Sequence, residues 1–268
     1  MDLKVRKAEY AGLYYPSDPA ELDRTLDLAL AEAATLGPDY SELNIPAMIV
    51  PCGGYIYTAK TASAAFQKVI NRKYERVIVI GVTHFISVSG LAMTEMDAYE
   101  TPYGNIELDK EFIDELKNDF DFSVNEMAFA KEYSIELQLP FLKKYLGDFK
   151  LVPILVGNKM NYQEVAENIA GEIDEKTLIV ISTNFSHFLS DEKARSFDQN
   201  SINLLLEGNT KKILAEVQAS AIGGLALLNE IALVKHWQPA FLNYQNSSEA
   251  GDDKDSVVGF ASFVYFSQ

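Results

Sequence analysis

The amino-acid sequence predicts one three-layer α/β/α domain, residues 1–268, around a mostly parallel central sheet. Strand-like apolar runs alternate with segments of helical periodicity, which is typical of a parallel sheet covered by helices on both faces. The run LIVI at 178–181 is β-branched and apolar, as in strands buried on both faces. No linker-like stretch or internal repeat divides the chain. The last two strand-like runs lie close in sequence, so we expect an antiparallel edge and a mixed sheet.

Local signals predict each element in order. Asp18 is a good N-cap, with Pro19 at the first helical position and Glu21 completing a capping box. That helix ends before Gly37-Pro38, Asp109 caps a later helix, and Pro140 should kink or restart a helical segment at 134–146. The other predicted helices cover residues 58–70, 161–173, 191–207, 210–217 and 221–234. The predicted strands cover residues 47–51, 76–82, 91–94, 150–156, 177–183, 240–244 and 256–266.

Composition excludes several classes of partner. The net charge is −16 and the sequence pI is about 4.6, so the surface would repel nucleic-acid phosphates. The acidic residues are spread along the chain, which favours solubility rather than a binding tail. The single cysteine rules out an internal disulfide and, with the charged start, indicates the cytoplasm. No apolar run approaches the roughly 18–20 residues that span a bilayer, so we expect no membrane partner.

Chemically versatile residues directly follow three of the predicted strands. Cys52, His84 and His187 come just after apolar runs, and parallel strands deliver such residues to the carboxyl edge of a sheet, where open α/β folds bind ligands. Any one of them alone would more often be structural. Their shared placement predicts one pocket, and imidazole and thiolate are natural ligands for zinc or a redox-active metal.

Other residues near these strand ends have open roles. Asn184 and Ser186 are suited to orienting a ligand, and Tyr55 and Tyr57 to walling the pocket. Glu132 and Glu136 lie one helical turn apart and are either a carboxylate pair facing the cleft or, as we slightly favour, a solvated helix end.

Three further motifs carry little functional signal. Residues 54–61 (GYIYTAKT) approach the P-loop pattern but have Ala59 where its second glycine belongs, so a nucleotide site is not predicted and Lys60 is expected to be solvated. The acidic residues 249–255 do not fit an EF-hand register. His236 has no partner motif and is expected to serve packing or the surface.

Seven segments, distributed over nearly the whole chain, resemble the motifs of one family. They are AGLYYPSDPAEL (11–22), PCGGYIYTA (51–59), GVTHF (81–85), TPYGNIELD (101–109), EYSIELQLPFL (132–142), STNFSHF (182–188) and SVVGFA (256–261). Their identity and order resemble the Memo family, also called AmmeMemoRadiSam system protein B. The resemblance implies the LigB-like fold of class III extradiol dioxygenases, which by itself does not confer their activity.

The resemblance also implies a pocket in which this chain has lost several donors. The family has a histidine where this chain has Cys52, an aspartate at Asn184, a cysteine at Ala219 and a histidine at Tyr133, whereas His84 and His187 are kept. Asn184 is neutral and binds cations more weakly than aspartate. The remaining Cys52, His84 and His187 would suit zinc better than redox-active iron.

The main functional hypothesis is therefore a degenerate, non-catalytic pocket that binds a small molecule or a protein partner, with no cofactor required. The alternative is a metal-dependent oxidoreductase or hydrolase that uses zinc or iron on the altered Cys/His/His set. A third hypothesis is nucleophilic chemistry by Cys52, activated by His84 or His187.

Overall fold

The computed structural model describes residues 3–40, 42–119, 122–157 and 159–267, without the side chains of residues 118 and 119. The strands are β1 (Val5–Arg6), β2 (Asn44–Val50), β3 (Arg76–Val82), β4 (Leu91–Met93), β5 (Ala98–Tyr99), β6 (Ile106–Glu107), β7 (Ser123–Val124), β8 (Lys150–Val156), β9 (Thr177–Ser182), β10 (His187–Leu189), β11 (Gln238–Asn246) and β12 (Val257–Ser267).

Within the described ranges, the central sheet has the strand order β10-β12-β2-β9-β3-β8-β4-β7, with β11 also pairing with β12. The four inner strands β2, β9, β3 and β8 are parallel, and β9 contains the run 178–181 that the sequence predicted as buried on both faces. Strand β12 is antiparallel to both β2 and β11, so the predicted mixed sheet is confirmed.

Helices cover both faces of this sheet and complete the three layers. They are α1 (Pro19–Ala33), α2 (Tyr55–Phe66), α3 (Lys110–Asp119), α4 (Glu126–Ala130), α5 (Leu139–Leu146), α6 (Tyr162–Glu172), α7 (Asp191–Glu207), α8 (Thr210–Glu216) and α9 (Ile222–Lys235). Helix α2 packs against α1 and α5, whereas α9 packs against α6 and α8. No helix in the described part of the chain has both the length and the apolar character to cross a bilayer.

Capping residues and hydrophobic periodicity predicted the bounds of most helices and strands to within a few residues. The Asp18 side chain accepts a hydrogen bond from the Glu21 backbone N–H at 2.9 Å, as the predicted cap requires. Helix α2 begins at Tyr55 rather than at residue 58. The segment 134–146 divides into a short 3-10 helix (Glu136–Gln138) and α5, whose first turn contains Pro140. The small sheet of β1, β5 and β6 was not predicted, because its strands have two residues each.

The topology creates a crevice between the carboxyl ends of β3 and β9. These two strands are parallel neighbours. After β3, the chain continues into β4 and β8 on one side of the pair, and after β9 it continues into β10 and β12 on the other side. Such a switch point is where open α/β sheets form ligand crevices. His84 and Asn184 follow these two strands directly.

A buried ion pair anchors the amino-terminal strand beside this crevice. The Arg6 guanidinium lies 2.6 Å from a Glu136 carboxylate oxygen, and both side chains are almost fully buried. Arg6 also donates to the backbone carbonyls of Phe129 and Glu132 and lies over the Tyr99 ring. Glu136 further accepts the hydroxyl of Tyr15 at 2.8 Å, so both charges are compensated inside the protein.

We predict that Glu136→Gln will destabilise the fold by about 3–5 kcal/mol, because the substitution leaves the Arg6 charge buried without its counter-ion. The matched control is Glu100→Gln, which removes the exposed ion pair with Lys7 and should change stability by no more than about 1 kcal/mol. Urea unfolding of both variants measures the difference, and equal losses would contradict the predicted effect of burial.

Candidate functional site

The Asn184 side chain locks the ends of β2 and β9 together. Its Oδ1 accepts a hydrogen bond from the Cys52 backbone N–H at 2.8 Å, and its Nδ2 donates to the Cys52 carbonyl oxygen. An amide has one donor and one acceptor group and so matches both backbone groups, whereas an ionised aspartate has no donor for the carbonyl. Asn184 thus has a structural role at the position where the family resemblance implies an aspartate.

The Cys52 thiol faces the interior of the protein. The residue is 1% exposed, and its side chain is hydrogen-bonded to Ser182. Ser182 in turn donates to the Ser134 carbonyl and accepts from the Gln138 amide. Burial raises the pKa of the Cys52 thiol far above its ordinary value, so the thiol stays protonated at neutral pH.

The His84 imidazole is held by a buried carboxylate and an aromatic ring. Its Nδ1 lies 2.9 Å from Glu132 Oε1, and its backbone N–H donates to Glu132 Oε2 at 2.7 Å. The ring stacks on Tyr133 with centroids 4.3 Å apart. Because a carboxylate only accepts, His84 Nδ1 carries the proton of this hydrogen bond, and Nε2 is the ring nitrogen that Glu132 does not engage.

Glu132 keeps its negative charge although it is only 2% exposed. Burial by itself would raise the pKa of the carboxyl group, but the hydrogen bonds from the ring and backbone N–H of His84 and from the Ser134 N–H bring this pKa below its ordinary value. The favoured interpretation of Glu132 and Glu136 as a solvated helix end is therefore wrong. Both are buried, and each has its own partner, His84 for Glu132 and Arg6 for Glu136.

His187 follows Asn184 by three residues and interacts electrostatically with His84. Burial lowers the pKa of its imidazole, against the opposing effect of a hydrogen bond with the Phe185 carbonyl and of nearby Asp198. Burial therefore favours the neutral form of this ring.

Asp198 was not predicted, yet it organises the loop that carries His187. Its carboxylate is fully buried and accepts hydrogen bonds from the Ser186 N–H and hydroxyl, both at 2.9 Å, and from the Tyr244 hydroxyl at 2.7 Å. A Cβ at Gly259 would lie 1.9 Å from Asp198 Oδ2, so this approach requires glycine. The helical spacing of the sequence could have indicated this burial, because Asp198 lies on the same face of α7 as the buried Ala194 and Ile202.

The other predicted pocket residues have different surroundings. Ala219 lies at the crevice, because the next residue, Ser220, donates its N–H to the Asn184 carbonyl at 2.9 Å. Tyr133 forms the aromatic support of His84. Tyr55 packs in the core against Tyr15 and Phe141 and donates its hydroxyl to the Leu137 carbonyl.

A cavity of about 480 Å³ extends the crevice toward β8. Thr83 and Ser220, the neighbours of His84 and Ala219, form part of its wall, together with Val156 at the end of β8. This volume can hold a small organic ligand.

The donor geometry does not suit a metal. Within the described ranges, no three side chains of His, Cys, Asp or Glu are grouped so that they could hold a metal ion. The predicted set of Cys52, His84 and His187 for zinc or iron is not such a group, and the Cys52 side chain lies in the interior beside Ser182.

The fold and the site define an α/β/α protein with two imidazoles in a crevice at the carboxyl edge of a mixed sheet. The chain belongs to the Memo family, since the family model described as Memo-like protein matches residues 6–264.

Relatives match over most or all of their length. The MEMO1 family protein of Methanococcus maripaludis is 31% identical, with 97% of this chain and 99% of the relative covered. The MEMO1 family protein of Aquifex aeolicus is 28% identical, with 98% and 100% covered. The protein memo-1 homolog of Caenorhabditis elegans is 29% identical, with 98% and 83% covered.

A solved structure supports the fold alone. The crystal structure of an uncharacterized protein from Escherichia coli K12 matches with a TM-score of 0.54 at 14% identity, covering 82% of this chain and 99% of that chain.

We predict that iodoacetamide will not label native Cys52 at pH 8, because its thiol is buried and its pKa is raised, and that unfolding in urea will restore labelling. Ala219→Cys is the matched positive control, since this position at the crevice is partly exposed and should take up one label. Mass spectrometry counts the labels. Rapid labelling of native Cys52 would contradict the buried thiol and revive the nucleophile hypothesis.

Proposed function

We propose that this chain is a non-catalytic member of the Memo family whose crevice binds a small ligand. The observation that carries this proposal is the hydrogen-bonded pair of Asn184 and Cys52. Two positions that the family resemblance assigns to a metal pocket instead hold two strand ends together. A side chain that closes a backbone contact in this way is not available to coordinate an ion.

The remaining site residues support binding rather than redox chemistry. His84 pairs its Nδ1 with Glu132, which leaves Nε2 as the ring nitrogen available to a ligand. The adjoining cavity provides space for a ligand. A metal-dependent oxidoreductase or hydrolase would need a third donor beside these imidazoles, and the protonated Cys52 thiol is a poor one. The LigB-like fold and a cytoplasmic location are also part of this proposal, from the motif order and the acidic composition with one cysteine.

We predict that the purified wild-type protein will retain less than stoichiometric iron or copper after loading and desalting. The triple variant Cys52→His, Asn184→Asp, Ala219→Cys should bind more, because it adds imidazole, carboxylate and thiolate donors. Each restored ligand should raise affinity by about tenfold or more, which corresponds to about 1.4 kcal/mol. Elemental analysis of both proteins measures the iron and copper bound per chain.

The control is the triple variant with His84→Ala added, which should lose the gained metal because the crevice then has one donor fewer. Stoichiometric iron or copper in the wild type would contradict the proposal. Circular dichroism must show that the triple variant is folded, since Asn184→Asp removes the donor to the Cys52 carbonyl.

A further inference from the structure

The cavity of about 480 Å³ beside the crevice is lined mainly by hydroxyl groups and valines. The hydroxyl groups belong to Thr83, Ser87, Ser89 and Ser220. Among the described residues of the lining, Lys159 alone carries a charge, and no carboxylate lies there. The cavity therefore joins several hydroxyl groups to one ammonium group.

The loops around this cavity differ in charge from the rest of the protein. The chain has 39 acidic residues among 268, which is about one in seven, yet the loop segments 83–90, 157–161 and 217–221 contain none. The Glu132 carboxylate lies nearby, behind His84, and already accepts three hydrogen bonds from His84 and Ser134. An anion in the cavity would thus meet Lys159 without facing a free carboxylate of the lining.

Most of the donors in the lining are not used by the protein. Ser220 is the exception, because its Oγ accepts the Asn184 N–H at 3.0 Å. The hydroxyls of Thr83, Ser87 and Ser89 have no hydrogen bond, and Lys159 has no ion pair, with any described residue. A hydroxyl can donate or accept, whereas an ammonium group only donates. This set therefore matches a ligand that brings acceptor oxygens and a negative charge.

Close backbone packing fixes the walls of the cavity. The Gly157 N–H donates to the Gly90 carbonyl at 2.7 Å, and a Cβ at Gly157 would lie 2.0 Å from the Val88 carbonyl oxygen. On the other side, a Cβ at Gly223 would lie 2.8 Å from the Gly157 carbonyl oxygen. The loop after β3, the end of β8 and the start of α9 are therefore packed backbone to backbone. The cavity is formed before any ligand binds, which lowers the cost of binding.

The apolar part of the wall indicates the body of the ligand. It consists of Val82, Val88 and Val156, and Val156 is only 4% exposed. These side chains suit a short aliphatic chain. One lysine matches the single charge of a carboxylate, whereas a phosphate ester carries about −1.5 to −2 charges at pH 7.

We propose that this cavity binds a short aliphatic monocarboxylate. Lys159 and the three unpaired hydroxyls donate to its carboxylate oxygens, and the valines contact its aliphatic body. This inference rests on the proposed function and specifies the ligand class of the crevice.

The probes are isovalerate, isovaleramide and isopentylammonium, which share a branched carbon chain and differ in charge. Binding is followed at pH 7.5 by NMR of the backbone amides, with Val88 and Gly157 as reporters and Gly251, outside the lining, as the reference. We expect isovalerate to bind about tenfold or more tightly than either other probe, because only its charge matches Lys159. It should shift the reporters but not Gly251, and its affinity should fall as salt is added.

Variants of Lys159 test the origin of this preference. Lys159→Met removes the ammonium group and should weaken isovalerate binding about tenfold or more, whereas Lys159→Arg keeps the charge and should retain most of the affinity. Lys211→Met is the matched control, because it changes the net charge equally at an exposed lysine of α8 outside the lining. It should leave binding unchanged. Equal affinity of folded Lys159→Met and wild type would overturn the proposal.

Thr83→Val tests the hydroxyl groups. It removes one donor at nearly constant volume and should weaken isovalerate binding by about threefold or more. Unchanged affinity would overturn the part assigned to Thr83.

The remaining outcomes distinguish this inference from the proposed function. Equal or tighter binding of the amide or the ammonium probe at the same reporters would overturn the carboxylate assignment and leave a ligand-binding crevice. Tighter binding of isobutyl phosphate, tested in parallel, would overturn it in favour of a phosphate ester. Failure of isovalerate to shift the reporters would overturn it outright. Stoichiometric redox metal in the wild type would instead overturn the proposed function itself, whichever probe binds.

Discussion

Two buried carboxylates, four residues apart, determine how the carboxyl edge of the sheet is built. An unpaired charge inside a protein costs several kcal/mol, so Glu132 and Glu136 each need a partner from another part of the chain. Glu132 contacts His84, which follows β3, and Glu136 forms an ion pair with Arg6 of β1. The segment between them crosses β3 so closely that a Cβ at Gly81 would lie 2.3 Å from Ser134 Oγ. The position of His84 is thus fixed by its hydrogen bonds to a buried carboxylate.

The same edge shows how a family pocket can change its chemistry while its fold is kept. Asn184 and Cys52 hold β2 and β9 together through an amide pair that an aspartate would not complete. Asp198 fixes the opposite wall through Ser186 and Tyr244. A metal would need several anionic or imidazole donors converging on one point, and the neutral amide of Asn184 is not one of them.

Sequence patterns predicted the sheet and most helices because periodicity and capping are local properties. The run 150–156 and the helix 191–207 appear with the predicted bounds. Tyr55 was predicted to line the pocket, but its position on α2 turns it into the core, which spacing along the chain does not reveal. Burial of Glu132 and Glu136 depends on Arg6 and His84, more than 40 residues away in sequence, so local polarity suggested solvent instead. The two-residue strands offer too little pattern to detect.

The central claim is that the buried Glu132 carboxylate holds the His84 ring through its Nδ1. Long-range ¹H–¹⁵N correlation NMR of the imidazole rings at pH 8 tests this claim directly, because the nitrogen shifts report which atom carries the proton. We expect a proton on His84 Nδ1, and in Glu132→Gln the His84 Nδ1 signal should move more than the Nε2 signal. A His84 ring protonated on Nε2 alone would contradict the account, because Nδ1 would then have no proton to donate to Glu132.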